Sequence, residues 1–169
     1  MARELTLVRH AKSSWAKSSW NDVSSSDFDR SLNARGLKNA PEMGKRLRDA
    51  NYQVDVIISS PALRAITTAE LIASELEYKN LQLRDEIYEA GVNTLLYLIS
   101  SLDEKCRKVM LVGHNPGFTM LCNYLCDANI DNMPTCSIAQ IQFAVNSWQD
   151  VGEHSGELLH FDYPKNHNE

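Results

Sequence analysis

The sequence predicts an α/β fold, a three-layer α/β/α sandwich around a mostly parallel central sheet. Three observations predict it. Short apolar runs of strand length stand at Leu5-Thr6-Leu7-Val8, at Val54-Asp55-Val56-Ile57-Ile58 and at Val109-Met110-Leu111-Val112. Segments with apolar residues at helical spacing follow each run. Each run also stops at a polar segment that carries a basic residue: Arg9-His10, Ser59-Ser60-Pro61-Ala62-Leu63-Arg64 and Gly113-His114-Asn115-Pro116-Gly117. In open α/β sheets ligands bind beyond the carboxyl ends of the strands. Three such ends bearing cations or imidazoles are therefore expected to converge on one anion.

The elements follow in order. After the first strand, the polar stretch Ser18 to Asp29 reads as a loop long enough to cover a site or simply to run over the surface. Asn33 is placed to cap a helix with apolar positions Leu37, Ala40, Met43 and Leu47, and Pro41 is expected to begin or bend it. Ala65, Ile66, Ala69, Ile72 and Leu76 give a second helical face, with the helix starting near Pro61. Asn93 is expected to cap a third helix carrying Leu95, Leu98, Ile99 and Leu102. Pro116 suits the first turn of a fourth, carrying Met120, Leu121 and Leu125. Ser137 to Val145 and Glu157 to Phe161 read as strands, and Lys165 to Glu169 as a frayed end.

A chain of 169 residues fits one domain, 1–169, with a full core. Net charge is −5 and no basic run occurs, which argues against nucleic acid as a partner. Any positive charge for an anionic substrate must then be local. No apolar run approaches the roughly 18 residues of a membrane span. A strand begins almost at Met1 with no hydrophobic leader before it, so a cytoplasmic protein is expected. Of the cysteines Cys106, Cys122, Cys126 and Cys136, none forms a C-x-x-C pair. Cys122 and Cys126 share a helix face and resemble half a metal site, but small core hydrophobes in a reducing compartment are the better expectation. No metal-ligand spacing and no glycine-rich nucleotide loop is present, so no metal or cofactor is expected.

The chemistry sits in the basic strand ends. A neutral imidazole is a good nucleophile and a guanidinium a good phosphate clamp. A cation such as Arg64 near a helix N-terminus opposes the helix dipole, so a bound anion rather than a surface ion pair is the expected reason for its placement. Gly113 and Gly117 around His114 are expected to permit close backbone approach.

These segments resemble the histidine phosphatase (phosphoglycerate mutase-like) superfamily, and within it the SixA-like phosphohistidine phosphatase branch. The resemblance is carried by Arg9-His10, by the SSPxxRAxxTA pattern from Ser59 to Ala69, by Val112-Gly113-His114-Asn115-Pro116 and by Asp29 to Gly36. It implies catalytic roles for Arg9, His10, Arg64 and His114. His10 would be phosphorylated on one ring nitrogen while the other donates to a backbone carbonyl, and Arg9, Arg64 and His114 would bind the phosphoryl oxygens. Ala11 departs from the glycine usual after the nucleophile. Family members often use a carboxylate after the third strand as proton donor; Asp85, Glu86 and Glu89 all qualify by position. Lys12 to Trp15 and Arg30 are candidates for substrate contact or for structure alone.

The implied substrate is phosphohistidine in a protein, since the chain has no room for a large capping insertion. A small phosphoester processed by a phosphatase or mutase is the alternative, and a non-catalytic phosphate-binding module a second one. The oligomeric state, the substrate's identity and the acid stay open at this level.

Overall fold

The computed structural model describes residues 2–14 and 27–167. Its strands are β1 (Arg3–Arg9), β2 (Val56–Ser59), β3 (Leu81–Leu83), β4 (Lys108–Gly113), β5 (Ile138–Phe143) and β6 (Gly156–Asp162). They form one sheet in the order β3-β2-β4-β1-β5-β6. Strands β3, β2, β4 and β1 pair in parallel; β5 runs antiparallel to β1, and β6 to β5. The helices are α1 (Ala34–Asp49), α2 (Leu63–Glu75), α3 (Val92–Ser100) and α4 (Gly117–Cys126).

Side-chain alternation along the strands divides the core into two layers. Leu5, Leu7, Val109 and Leu111 face α3 and α4, packing with Leu95, Phe118, Leu121 and the fully buried Trp148. Val8, Met110 and Val112 face α1 and α2, packing with Met43, Ile57, Ala69 and Ile72. The three-layer sandwich is thus formed by strands that are apolar on both faces, as central parallel strands must be.

Connectivity fixes where a ligand goes. The chain leaves β1 toward α1 on one face and leaves β4 toward α4 on the other. β1 and β4 are neighbours, so their carboxyl ends flank a topological switch point, where a crevice opens between the diverging connections.

Several expectations shift. Pro41 lies inside α1 and the helix runs through it; the hydrogen bond it cannot make would go to Leu37, which is exposed, so solvent is at hand. Leu37 and Met120 are half-exposed or more and belong to outer faces. The cap of α3 is Gly91, not Asn93, and Leu102 is buried beyond the helix end. Pro116 precedes α4 as its cap rather than lying in its first turn. β3 was not expected from sequence; it has three residues and little burial, so it carries no apolar run. The chain from Pro164 to His167 forms a 3-10 turn instead of fraying there. Among the described residues no helix is long and apolar enough to cross a membrane.

The first turn of α1 is docked on the segment that follows β1 and His10. Asn33 caps it, accepting from Gly36 N–H at 2.9 Å, and Asn33 N–H donates to the Lys12 carbonyl at 3.0 Å. A Cβ at Gly36 would collide with that same carbonyl. Gly36→Ala should gain about 1 kcal/mol of helix propensity but lose about 1–3 kcal/mol to overpacking, at the upper end because backbone cannot yield. The expected net result is a Tm lower by roughly 2–8 °C in calorimetry; an unchanged or raised Tm would show that α1 does not sit on Lys12.

Candidate active site

Strand register delivers the site. Arg9 is paired with Gly113 across β1 and β4, so the next residues, His10 and His114, emerge side by side. His10 N–H donates to Gly113 O at 3.0 Å, and the two imidazole centroids are 5.3 Å apart. Ser59 pairs with Val112 and Ser60 N–H donates to Val112 O at 2.9 Å, which brings Ser60 Oγ to 2.7 Å from His114 Nε2. Arg64, in the first turn of α2, directs its Nε to 3.4 Å from His10 Nε2. Arg9, His10, Arg64 and His114 thereby line one cleft of about 420 Å³. Lys12, Ser13 and Arg30 line it too, as do Asp27, Tyr88 and Glu89.

The tautomer of His10 follows from its neighbour. Nδ1 is 2.8 Å from the Ala11 carbonyl, which only accepts, so Nδ1 carries the proton and Nε2 the lone pair. Burial is the main reason the His10 pKa falls to about 3; His114, Arg64 and Arg9 lower it further, against the Ala11 hydrogen bond that raises it. His114 falls to about 4, again through burial first and Arg64 second. Both imidazoles are neutral at pH 7. Ser60 Oγ accepts from Ala62 N–H at 3.2 Å and shares a hydrogen bond of 2.7 Å with His114 Nε2. His114 Nδ1 is buried and has no hydrogen-bond partner among the described residues.

The cations are crowded. The pKa of Arg9 is lowered by burial and then by Arg30 and Arg64; that of Arg30 is lowered by burial and then by Arg64. One Arg9 N–H donates to Met133 O at 2.7 Å, which fixes the guanidinium in place. Arg64 donates to the Asp27 carbonyl and, at 3.0 Å, to the Asp27 carboxylate. Tyr88 Oη–H donates to the same carboxylate at 2.7 Å, and Arg30 pairs with it at 3.1 Å. Burial raises the Asp27 pKa, but the Tyr88 and Arg64 hydrogen bonds outweigh it and the net shift is downward. Asp27 is therefore an anion in contact with cations suited to oxyanions. Among the described residues, no group of three or more His, Cys, Asp or Glu is placed to hold a metal ion.

The expected residues come together, with corrections in detail. Arg64 is buried and does make an ion pair, with Asp27, where sequence favoured an external anion alone. The glycines flanking His114 make room for protein: a Cβ at Gly113 would strike the Phe118 ring and one at Gly117 the Ala90 carbonyl. Of the carboxylates after β3, Glu89 lines the cleft, while Glu86 pairs with Arg84 outside it and Asp85 is exposed away from it. Lys12 and Ser13 reach the cleft, Ser14 bonds to Ser31, and Trp15 and residues 18–26 lie outside the described residues. Sequence reasoning missed Asp27 and Tyr88, which have no motif around them. It also passed over Ser60 and Thr68, although both stand in the Ser59–Ala69 pattern.

The buried imidazoles make stability depend on pH. Both folded-state values lie below the roughly 6.5 of an unfolded histidine, so between these limits the unfolded chain binds more protons. Their contribution is intact above about pH 6.5 and declines as pH falls from there to about 4 for His114 and about 3 for His10. Tm should drop over that window, and the imidazole C–H resonances of His10 and His114 should stay unshifted from pH 8 to pH 5. A midpoint near 6.5 for either ring would contradict the burial-driven neutrality.

Comparison with known proteins agrees with this geometry. The family model for the histidine phosphatase superfamily (branch 1) matches residues 5–96, more than half of the chain. An uncharacterised protein of Mycobacterium leprae is 27% identical over 94% of this chain and 100% of its own. A structure from Agrobacterium tumefaciens bearing the name phosphohistidine phosphatase SixA superposes with a TM-score of 0.80 at 27% identity, covering 96% of this chain and 98% of that one. One of the same name from Nakamurella multipartitia superposes with a TM-score of 0.80 at 25% identity, covering 97% of each chain. With its matched segment, its sheet order and the paired imidazoles at the β1–β4 edge, the chain belongs to the histidine phosphatase superfamily, branch 1.

Proposed function

We propose that the protein is a phosphatase that passes its phosphoryl group through His10, and that the substrate is phosphohistidine carried on a protein. The observation that carries this reading is the His10 side chain. Its Nδ1–H is held by the Ala11 carbonyl, its ring is neutral, and its Nε2 lone pair faces the cleft beside Arg64 Nε. Nε2 attacks phosphorus and the bond to the leaving group breaks, its electron pair going with that group. Arg9 and Arg64 stabilise charge on the transferred oxygens, and His114 Nδ1–H donates to one of them. Water then attacks that phosphorus, the Nε2–P bond breaks with its electron pair returning to His10 Nε2, and phosphate is released. The proton of that water goes to a carboxylate of the cleft, where Asp27 and Glu89 stand.

Two features support a protein-borne phosphoramidate. Imidazole leaves phosphorus more readily than an alkoxide, so the reaction needs little help from an acid, and the Asp27 carboxylate in the cleft is pushed toward the ionised form. The rim beside Tyr88 and α2 exposes Phe28 and Leu63, apolar side chains suited to contact with a protein surface. The likeness to SixA structures over nearly their full length points the same way.

Incubation with phosphohistidine protein, phosphoserine peptide and small phosphate esters tests the reading. Phosphoramidates should have the highest kcat/KM, and a brief reaction with ³²P-labelled substrate should label the wild type but not His10→Ala. Turnover by a folded His10→Ala variant, or clear preference for alkyl phosphates, would overturn it in favour of another nucleophile or the small-phosphoester alternative.

Arg64 tests the clamp separately. Lysine cannot reproduce the two-pronged fork that holds an oxyanion beside His10. Arg64→Lys should lose on the order of tenfold to a thousandfold in kcat. Near-normal kinetics would place Arg64 outside the reacting group's contacts.

A further inference from the structure

We infer that Thr68 is a positioning residue whose hydroxyl fixes the His10 tautomer and ties it to Arg64. This inference rests on the nucleophile reading above. Thr68 is fully buried on the inner face of α2, one turn after Arg64. Its Oγ1–H donates to the Arg64 carbonyl at 2.7 Å. Such a bond to the preceding turn is common for threonine in helices and by itself says nothing. The acceptor side is distinctive. Oγ1 accepts from Ala11 N–H at 2.9 Å, across 57 positions of sequence, in the backbone directly after His10.

Ala11 is the residue whose carbonyl receives His10 Nδ1–H. Its conformation is pinned on both sides: at its N–H by Thr68, and one peptide later by Asn33 N–H on the Lys12 carbonyl at 3.0 Å. The direction of the Ala11 carbonyl, and with it the choice of which ring nitrogen keeps the lone pair, therefore depends on the Thr68 hydroxyl. The same oxygen is bound to the backbone of Arg64, whose guanidinium faces His10 Nε2. One buried hydroxyl, donating once and accepting once, thus holds both members of the reacting pair. Ala11 is itself fully buried in the α1–α2 layer, so no water is at hand to replace the lost acceptor.

Thr68→Val removes the oxygen and keeps the shape. ¹⁵N-resolved imidazole spectra of the wild type should show His10 protonated on Nδ1. In Thr68→Val the Nε2–H form should gain population, and kcat should fall by up to about 100-fold with KM little changed, as expected for a misplaced reacting group. Thr68→Ser, which restores the hydroxyl, should recover both. If circular dichroism shows that Thr68→Val does not fold, Thr68→Cys retains the volume with a weakly accepting sulfur, and its tautomer distribution should lie between that of the wild type and that of complete loss of the bond. A wild-type tautomer and wild-type kcat in folded Thr68→Val or Thr68→Cys would overturn the inference. Absence of phosphatase activity in the wild type would instead overturn the nucleophile reading, and the spectra alone would then report whether Thr68 sets the tautomer.

Discussion

The candidate site depends first on the parallel pairing of β1 with β4, in the register that sets Arg9 opposite Gly113. These strands lie far apart in the sequence, at Arg3–Arg9 and Lys108–Gly113, and neither carries a complete site. Their alignment places two imidazoles 5.3 Å apart without any loop having to fold over them. A slip of one residue would send every β1 side chain to the wrong face and separate the rings. The register is held from both faces, since Leu5 and Leu7 enter the α3–α4 layer while Val8 enters the α1–α2 layer. Core packing on two sides is thus what gives the histidine pair its geometry.

The electrostatics follow from that placement. Strand ends at a switch point are partly enclosed, so the imidazoles lose water and stay neutral, which leaves His10 Nε2 its lone pair. Guanidiniums do not discharge under the same enclosure and repel one another instead. Asp27 answers part of that repulsion, accepting from Arg64, Arg30 and Tyr88 at once. Its carboxylate presents the cleft with the kind of oxygens that a phosphoryl group carries.

The fold class, the three basic strand ends and the four-residue set of Arg9, His10, Arg64 and His114 were legible in the sequence. They lie in apolar runs and compact motifs, where local pattern and three-dimensional placement coincide. What was not legible arises from long-range contacts. Asp27 belongs to a polar stretch, and only its meeting with Arg64, 37 positions away, marks it. Glu89 could not be told from Asp85 and Glu86, because a tight turn decides which carboxylate faces inward. The role of the glycines around His114 was misassigned for the same reason: the Phe118 ring and the Ala90 carbonyl that need the space are brought there by packing.

Neutral imidazoles, crowded guanidiniums and an unpartnered His114 Nδ1 are unfavourable in the free molecule. Each buried polar group left without a partner costs about 1–3 kcal/mol. Burial of one large aliphatic side chain contributes about 1.5–3 kcal/mol, so a few residues of the two core layers offset the site. That imbalance has a direction. An anion entering among Arg9, Arg64 and His114 removes repulsion, which a neutral ligand does not. The gain grows as negative charge concentrates on the oxygens in contact with the guanidiniums. A cleft strained in this way is preorganised for a phosphoryl group in transfer more than for the same group at rest in its substrate.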